Sequence, residues 1–436
     1  LFRSAQQIDF TLAGALSNAQ GILESDSTLN IAAAHLDNQG GQLRALGTQG
    51  ASRFQIAGLL DNRHGTLESA NTDLSLGLGG FLNTGGTVLH VGNGTFDIAT
   101  ANVINAGGDL ITRGGLTLTA DQWTNSSVIQ AGRLSVNVND FTQSASGQLL
   151  AANSLIGTGV NWRNDGLIAS DGSLDLGLSG LYTGKGRLSS RGDLTLGTGQ
   201  LHLPEEASIA SGGDSLITVA GVLNNYGRLT SSADLILQAG AVNNYGTLGS
   251  GQDLTLTTAA LLNDHGLIFS GWDMGLRVAS LTNSYASLYS LGDLDIDRDG
   301  DGGWASSIVN SSGLMQSDGR MSLAASTIKN IRALLTVSDD GIYTAKIEQI
   351  PCIEGVNAGD CGGKQNRVWE IVQREKLQVT AASAASSITA GGDLILNGGD
   401  LLNHSSTLAT SGNLSATLNN LTNTGVQTSD TETVRV

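Results

Sequence analysis

Four aspartates in the segment DIDRDGDGG could bind a divalent cation: Asp295, Asp297, Asp299 and Asp301. Carboxylate oxygens at every second position, with Gly300 among them, are typical of a calcium loop. Position twelve of such a loop is Ser306 instead of a bidentate glutamate, and Arg298 lies inside it. The segment is therefore either a weak calcium site or an acidic, solvated turn, and we expect no other cofactor.

The two cysteines of the chain, Cys352 and Cys361, lie nine positions apart in one segment. This arrangement fits a single disulfide in an oxidising compartment better than a cytosolic redox or zinc site. Closing a loop of that size contributes roughly 2.7 kcal/mol in the chain-entropy model. The bridge either staples a surface loop or holds an exposed binding loop in a ready conformation.

Four ring-bearing residues recur at a similar interval: Tyr226, Tyr245, His265 and Tyr285. Each follows an asparagine by two positions, so a regular coil would align them in a column on one edge. Aligned rings stack in a parallel coil and stiffen its turns. Alternatively, the column is a platform for sugars or lipids, with Arg228 beside it to reach an acidic group.

Catalytic chemistry finds little support in the sequence. The six histidines show no HExxH or Cys/His metal spacing, and the glycine-rich GLGG at 77–80 is not followed by the lysine of a phosphate loop. The histidines are His35, His64, His90, His202, His265 and His404. We therefore expect no enzymatic activity.

Composition narrows the class of protein further. The chain has 436 residues with 60 glycines but 2 prolines, 40% hydrophobic residues but 4% aromatic ones, and a formal charge of −17. Such a core must be built in thin layers of Leu, Val, Ile and Ala, and the negative charge argues against a nucleic acid partner. No signal peptide opens the chain at Leu1, and no long apolar run follows, so we expect an interior segment of a longer protein.

Self-similarity with a period of about twenty residues dominates the chain. One column of aspartates repeats at intervals of 21, 20, 19, 20 and 20, namely Asp193, Asp214, Asp234, Asp253, Asp273 and Asp293. A column of asparagines keeps step with it, namely Asn224, Asn243, Asn263 and Asn283. A looser asparagine series opens the chain, namely Asn18, Asn38, Asn62, Asn83, Asn105 and Asn125.

Short alternating runs separated by glycine and asparagine turns fill each period, as in DLTLTT at 253–258 and LIFS at 267–270. Such runs are strands too short to bury anything alone, so they must stack on their neighbours. The sequence predicts an all-β, right-handed parallel β-helix of about nineteen 20-residue coils, roughly 90 Å long. Stacked asparagines would then form a hydrogen-bonded ladder along one turn.

The phrases GGDL at 391–394, SGGD at 211–214, LNNYG at 223–227 and ASGQLLA at 145–151 resemble the repeats of filamentous haemagglutinin-like exoproteins. Among these, the chain is most similar to contact-dependent growth inhibition effectors of the CdiA type. The resemblance implies two-partner secretion through an outer-membrane transporter, a location on the cell surface, and a filament followed by a receptor-binding region. The secretion domain and the toxin of such effectors are not found in the sequence, so we expect no killing activity in it.

The period fails between residues 336 and 383, where charge and Trp369 are denser than elsewhere. We therefore divide the chain into repeats at 1–335, an irregular disulfide-containing insert at 336–383, and resumed repeats at 384–436. The insert either caps a block of coils or recognises a partner, because near-identical coils cannot supply specificity. Its candidate receptor-binding residues are Tyr343, Lys346, Glu348, Lys364, Arg367 and Trp369.

Two functions remain open. The first is a non-enzymatic surface filament that presents a binding surface for an outer-membrane receptor, protein or lipopolysaccharide, on a neighbouring cell. The second is a carbohydrate-active β-helix of the polysaccharide lyase or tailspike kind. The uniform coils between 190 and 290 favour the filament, since an enzyme groove is usually built from long irregular loops on several neighbouring coils.

Overall fold

The computed structural model describes residues 1–103, 107–359, 361–362 and 367–436. In this part of the chain the secondary structure is all strand, and the strands form a parallel β-solenoid of about 21 turns of roughly 20 residues. The predicted β-helix is confirmed, with two turns more than the sequence suggests. At the spacing of paired strands the rod is about 100 Å long. No helix that could cross a membrane occurs among these residues.

The strands have the following bounds. The first fifteen are β1 Phe2–Ser4, β2 Ile8–Thr11, β3 Ala15–Ser17, β4 Ile22–Ser25, β5 Leu29–Ala33, β6 His35–Asp37, β7 Gln42–Ala45, β8 Ala51–Asp61, β9 Thr66–Ser69, β10 Asp73–Leu82, β11 Thr87–His90, β12 Thr95–Thr100, β13 Asn102–Val103, β14 Asp109–Thr112 and β15 Gly115–Asn125. The next fifteen are β16 Val128–Gln143, β17 Gln148–Gly159, β18 Asn161–Asn164, β19 Leu167–Ser170, β20 Ser173–Leu178, β21 Leu181–Thr183, β22 Arg187–Ser190, β23 Leu194–Thr198, β24 Gln200–Leu203, β25 Ser208–Ser211, β26 Ser215–Asn225, β27 Arg228–Ser231, β28 Leu235–Asn244, β29 Thr247–Ser250 and β30 Leu254–Asp264. The last fourteen are β31 Leu267–Ser270, β32 Met274–Ser284, β33 Ser287–Ser290, β34 Leu294–Asp297, β35 Ser307–Ser311, β36 Leu314–Ser317, β37 Met321–Ile331, β38 Leu335–Ile350, β39 Val368–Ala382, β40 Ser387–Ala390, β41 Leu394–His404, β42 Thr407–Thr410, β43 Leu414–Thr424 and β44 Ser429–Arg435.

One coil consists of a long bent strand and a short one, as in β30 and β31. Along β30 buried and exposed residues alternate, except at Ala259 and Ala260, which are both exposed. Because alternation has a period of two, this slip marks the corner at which the strand turns from one face of the rod to the next. The four-residue β31 forms the third face and buries Ile268 and Ser270.

Every coil pairs in parallel with the coil before and after it, so equivalent side chains lie in columns. Leu235, Leu254 and Met274, for example, are consecutive partners in register and are fully buried. Burying an aliphatic side chain of this size contributes about 1.5–3 kcal/mol. Since each coil is only a thin layer, its apolar residues are buried mainly by the coils on either side.

A buried asparagine ladder runs along one turn, but its register differs from the predicted one. Asn225 donates to Asn244 and Asn244 donates to Asn263, each at 2.7 Å. Asn224 and Asn243, which the sequence assigned to the ladder, are half-buried neighbours that bond to each other at 2.8 Å. The ladder position next to Asn225 is held by Leu203, so Asn225 Oδ1 has no hydrogen-bond partner.

Turn length explains the error in register. Starting at Asn225 and at Asn244 the chain reads Asn-Tyr-Gly, whereas starting at Asn263 it reads Asn-Asp-His-Gly, one residue longer. Counting two residues back from each ring therefore reaches the ladder asparagine only in the longer turns. In those turns the second residue after the asparagine has a positive φ, 56° at His265 and 48° at Tyr285. Of the early asparagines, Asn105 lies outside the described residues.

A serine column that the sequence analysis missed occupies the end of the short strand. Ser211 Oγ donates to Ser231 Oγ at 3.0 Å, and Ser270 Oγ to Ser290 Oγ at the same distance. Three residues further on, the predicted aspartate column lies in the exposed turn. There, each carboxylate accepts the backbone N–H of the next aspartate, as Asp253 does from Asp273 at 3.0 Å.

The segment without repeats is folded as a second, antiparallel sheet. Strands β38 and β39 form a long hairpin with bulges near Tyr343, and the described residues between the two strands have irregular backbone at its tip. The C-terminal strand β44 pairs with β39 on the other side. Residues 429–435 therefore belong to this inserted sheet rather than to the resumed repeats, which start at β40 and end with β43 at Thr424.

Candidate recognition surface

The turn that follows the asparagine ladder forms one edge of the rod, which we call the ladder edge. It carries Tyr226, Tyr245, His265 and Tyr285 on successive coils. Two coils beyond Tyr285, the same turn contains the whole inserted hairpin, because Asn330 precedes it and the next ladder residue is Asn403. Asn330 Nδ2 donates to Asn403 Oδ1 at 2.9 Å, so the ladder continues past the insertion without a gap.

The four rings form two stacked pairs. Tyr226 and Tyr245 lie 4.6 Å apart between ring centroids with their planes 10° apart, and His265 and Tyr285 lie 5.2 Å and 17° apart. Asn244 is in register with Asn263, and the residue that follows is Tyr245 in one coil but Asp264 in the next, because the longer turn moves His265 one position along. Since stacking covers the inner face of each ring, half of the ring faces that the sugar-platform interpretation needs are already occupied.

The base of the hairpin is fixed to the solenoid by a group of polar contacts. Ser383 Oγ lies 2.6 Å from Ser312 Oγ, and Ser386 Oγ donates to the Asn310 carbonyl at 3.0 Å. The Arg332 guanidinium donates to the carbonyls of Ser383 and, at 3.0 Å, of Ser405. These contacts with the rod therefore fix the point from which the inserted sheet projects.

The inserted sheet has one charged and one largely uncharged face. On the charged face Arg374 pairs with Glu432 at 2.7 Å and Lys346 with Glu348 at 2.5 Å, while Tyr343 Oη donates to Asp430 at 3.1 Å. The Glu432 carboxylate raises the pKa of Arg374. All these side chains are exposed.

The opposite face carries the apolar residues Ile347, Ile371 and Trp369. Ile347 is in register with Ile371, and Gln349 with Trp369. Ile347 is 64% exposed and Trp369 46%. The structure therefore divides the predicted receptor-binding residues, with Tyr343, Lys346 and Glu348 on the charged face and Trp369 on the other.

The remaining predicted residues lie around the hairpin tip. Arg367 is exposed and directly precedes β39, whereas Lys364 lies outside the described residues. Cys352 and Cys361 form a disulfide with a Cα–Cα distance of 5.8 Å. The bridge closes a loop at the tip of the hairpin, at the end opposite the contacts with the rod.

The four carboxylates of the DIDRDGDGG segment do not converge on one point. Asp295 pairs with Arg320 and Asp297 with Arg277, both at 3.0 Å. The backbone N–H groups of Asp301 and Gly303 bond to Asp299 and lower the pKa of its carboxyl. Burial raises the pKa of Asp295. Calcium binding stays a prediction here, and these contacts favour its alternative, an acidic turn.

No group of three or more His, Cys, Asp or Glu side chains is arranged to hold a metal within the described ranges. A groove of about 950 Å³ runs along the coils between Thr100 and Ala220 and is lined mostly by small residues, with Asp121 as its one ionisable group. A lyase needs several carboxylates and a basic residue near them, and this groove offers neither.

One buried histidine lies apart from these surfaces, in the serine column of the solenoid core. His90 Nε2 is 3.0 Å from the Asn71 carbonyl, and Nδ1 is 2.9 Å from Thr112 Oγ1. Because a carbonyl only accepts, Nε2 carries the proton and Nδ1 accepts from the threonine in the neutral ring. Burial lowers the pKa of His90, so we assign it a structural role.

Comparisons with known proteins agree with this architecture. A family model for the haemagglutinin repeat matches residues 4–64, 47–137, 124–202, 205–347 and 374–436. Deoxyribonuclease CdiA of Dickeya dadantii (strain 3937) is 31% identical over 227 residues. That alignment covers 51% of this chain but 6% of the relative, so the chain spans a small part of that protein's length. No solved structure matches the chain.

Proposed function

The chain belongs to the haemagglutinin-repeat family, and from this membership we propose that it is a rod segment of a secreted exoprotein, displayed on a bacterial surface. The membership confirms the resemblance seen in the repeat phrases. A rod of stacked coils about 100 Å long suits this role because it spans distance with little chain and one continuous core. The exoprotein would leave its cell through an outer-membrane transporter of the two-partner type.

The rod would carry a binding surface for a receptor in the outer membrane of a neighbouring cell, and that surface is the inserted sheet. The observation that carries this proposal is the departure from the solenoid at β38, β39 and β44, which form a separate sheet. Coils of one design present similar faces, whereas this sheet has its own charge pattern, exposed apolar residues and a disulfide. The contacts of Arg332 and Ser383 at its base would hold it in a defined position for docking.

We propose no catalytic activity for this stretch. The nuclease named in the Dickeya relative would lie outside the 6% of that protein that aligns here. The charge of −17 and the groove with a single carboxylate support the same conclusion, since a nuclease needs cations or metals near its substrate.

Attachment of the labelled chain to intact Gram-negative cells tests the proposal. We would replace residues 336–381 by a short Gly-Ser join and expect attachment to be lost while the β-sheet circular dichroism of the rod stays. A second variant that lacks residues 427–436 controls for the loss of β44 from the sheet. Attachment by the deletion variant at the level of the parent chain would contradict the proposal and move recognition to the solenoid faces.

A further inference from the structure

Residues 351–358, at the tip of the inserted hairpin, are ordered by contacts with one another. The Asn357 side chain bridges the loop, since its Oδ1 accepts the Ile353 N–H at 2.8 Å and its Nδ2 donates to the Pro351 carbonyl at 2.9 Å. The Gly355 N–H donates to the Ala358 carbonyl at 2.9 Å, and Gly355 has a φ of 77°. Together with the Cys352–Cys361 bridge, these bonds hold residues 351–358 in one conformation.

Two aliphatic side chains project from this ordered loop. Val356 is 79% exposed and Ile353 is 53% exposed, and Glu354 between them is exposed as well. Exposed aliphatic residues on a mobile loop would need no explanation. On a loop held by a disulfide and a bridging asparagine they form a fixed apolar knob, and the ordering cost of docking is largely met before a partner arrives.

We propose that this tip, residues 351–358, is a docking knob that inserts Val356 and Ile353 into an apolar pocket of a folded protein on the target cell. The proposal rests on the function proposed above and specifies its partner. A basic side chain or backbone N–H groups at the rim of that pocket would meet the Glu354 carboxylate.

The charge of the tip favours a protein pocket as its partner over a lipid bilayer or a second copy of the chain. A lipid bilayer would have to take Glu354 into its hydrocarbon between the two aliphatic residues, at a high cost. Among the described residues near the tip, Lys346 is already paired with Glu348 and Arg367 is a single exposed cation, so the attraction to anionic lipid is weak. A second copy of the chain would bring together two molecules that each carry a charge of −17, which disfavours self-association.

The geometry of the hairpin places the knob where such a partner could reach it. Strands β38 and β39 have 16 and 15 residues, so the hairpin is about 50 Å long at the rise of an antiparallel strand. Its base is fixed on the ladder edge, and the knob is at its far end. A narrow, ordered tip suits a concave site better than a flat surface.

Polar substitutions at the tip test this inference. The double variant Val356→Ser and Ile353→Ser should bind intact target cells at least ten-fold more weakly than the parent chain. The matched control is Leu216→Ser, which removes an exposed aliphatic residue from a solenoid face and should bind like the parent. The variant Glu354→Gln should weaken the salt dependence of binding. Free-thiol titration and circular dichroism on each variant verify the disulfide and the fold.

Two further probes identify the kind of partner. Vesicles of phosphatidylethanolamine and phosphatidylglycerol should not retain the parent chain, and target cells treated with proteinase should lose binding. Retention on the vesicles, or undiminished binding to treated cells, would contradict the inference that the partner is a protein pocket. If the hairpin deletion abolishes attachment but the double tip variant attaches normally, the inference of a docking knob is wrong and the proposed function stands. If neither change affects attachment, both are wrong.

Discussion

Asn244 Nδ2 donates to Asn263 Oδ1 at 2.7 Å although the two residues are 19 positions apart in the sequence. Most ladder asparagines make a second bond to the strand of the next coil, as Asn244 Nδ2 does to the Leu267 carbonyl at 3.2 Å. Both residues are fully buried. A buried amide that is bonded on both sides fixes the relative position of two coils, because a shift in register would leave it without partners.

Replacing Asn244 by leucine should destabilise the solenoid by about 1–3 kcal/mol. The change removes the acceptor of the Asn225 amide and the donor to Asn263 at a fully buried position. Amide hydrogen exchange in residues 225–283, together with the urea midpoint, measures the loss. Asn243→Leu is the matched control and should cost less, since that side chain is half-buried. Equal effects of the two changes would contradict the ladder register.

The stability of the fold should decrease as the pH is lowered, because of His90. Burial lowers its pKa in the folded chain below the ordinary value of 6.5, so the unfolded chain binds the proton first as the pH decreases. The stability due to the neutral ring is complete above about pH 6.5 and is lost as the pH falls toward the folded-state pKa. In urea titrations between pH 5 and 8, His90→Ser should flatten this dependence. An unchanged pH profile in His90→Ser would count against the assignment.

The acidic turn should depend on arginine and not on calcium. Replacing Arg277 by methionine removes the partner of the buried Asp297 carboxylate and should cost about 1.5–3 kcal/mol, as expected for a hydrogen bond to a charged group. Millimolar calcium should leave the unfolding midpoint of the parent chain unchanged. A rise in the midpoint with calcium that Asp299→Asn abolishes would restore the calcium interpretation.

Trypsin should cut first in the inserted sheet. Arg367 is exposed and lies outside a strand, whereas the basic residues between 187 and 277 lie in or beside strands that are bonded to coils on both sides. Mass spectrometry of early digests should find a cut after Arg367 before any cut between residues 190 and 290. Early cleavage in that range would mean that the coils open independently of the insert.

The periodicity of the sequence was sufficient to predict the solenoid, since the aspartate column and the alternating runs report the coil length directly. The serine column carried an equally clear signal, because Ser211, Ser231 and Ser250 each precede a column aspartate by three residues. The ladder register could not be predicted in the same way. One-residue differences in turn length do not change the appearance of the repeat, and only pairing across coils reveals which asparagine faces inward.

The inserted sheet was beyond prediction for a different reason. Its hairpin partners, such as Leu335 and Ala382, are far apart in sequence, and β44 joins from beyond two further coils. No period links these strands, so the sequence marks the segment only by the absence of the repeat. The two faces of the sheet decide which candidate residues can act together. The bulges near Tyr343 determine which residues lie on which face, and the sequence does not predict these bulges.

The variable length of the turn after the ladder asparagine makes this position a natural acceptor for foreign sequence. The same turn accommodates one extra residue at His265 and more than fifty between Asn330 and Ser386, and in both cases the strands on either side keep their pairing. An additional residue inside a strand would instead turn the following side chains to the wrong face. A peptide grafted between Tyr245 and Gly246 should therefore be displayed on an intact rod, and several such grafts on successive coils would be held about 4.8 Å apart.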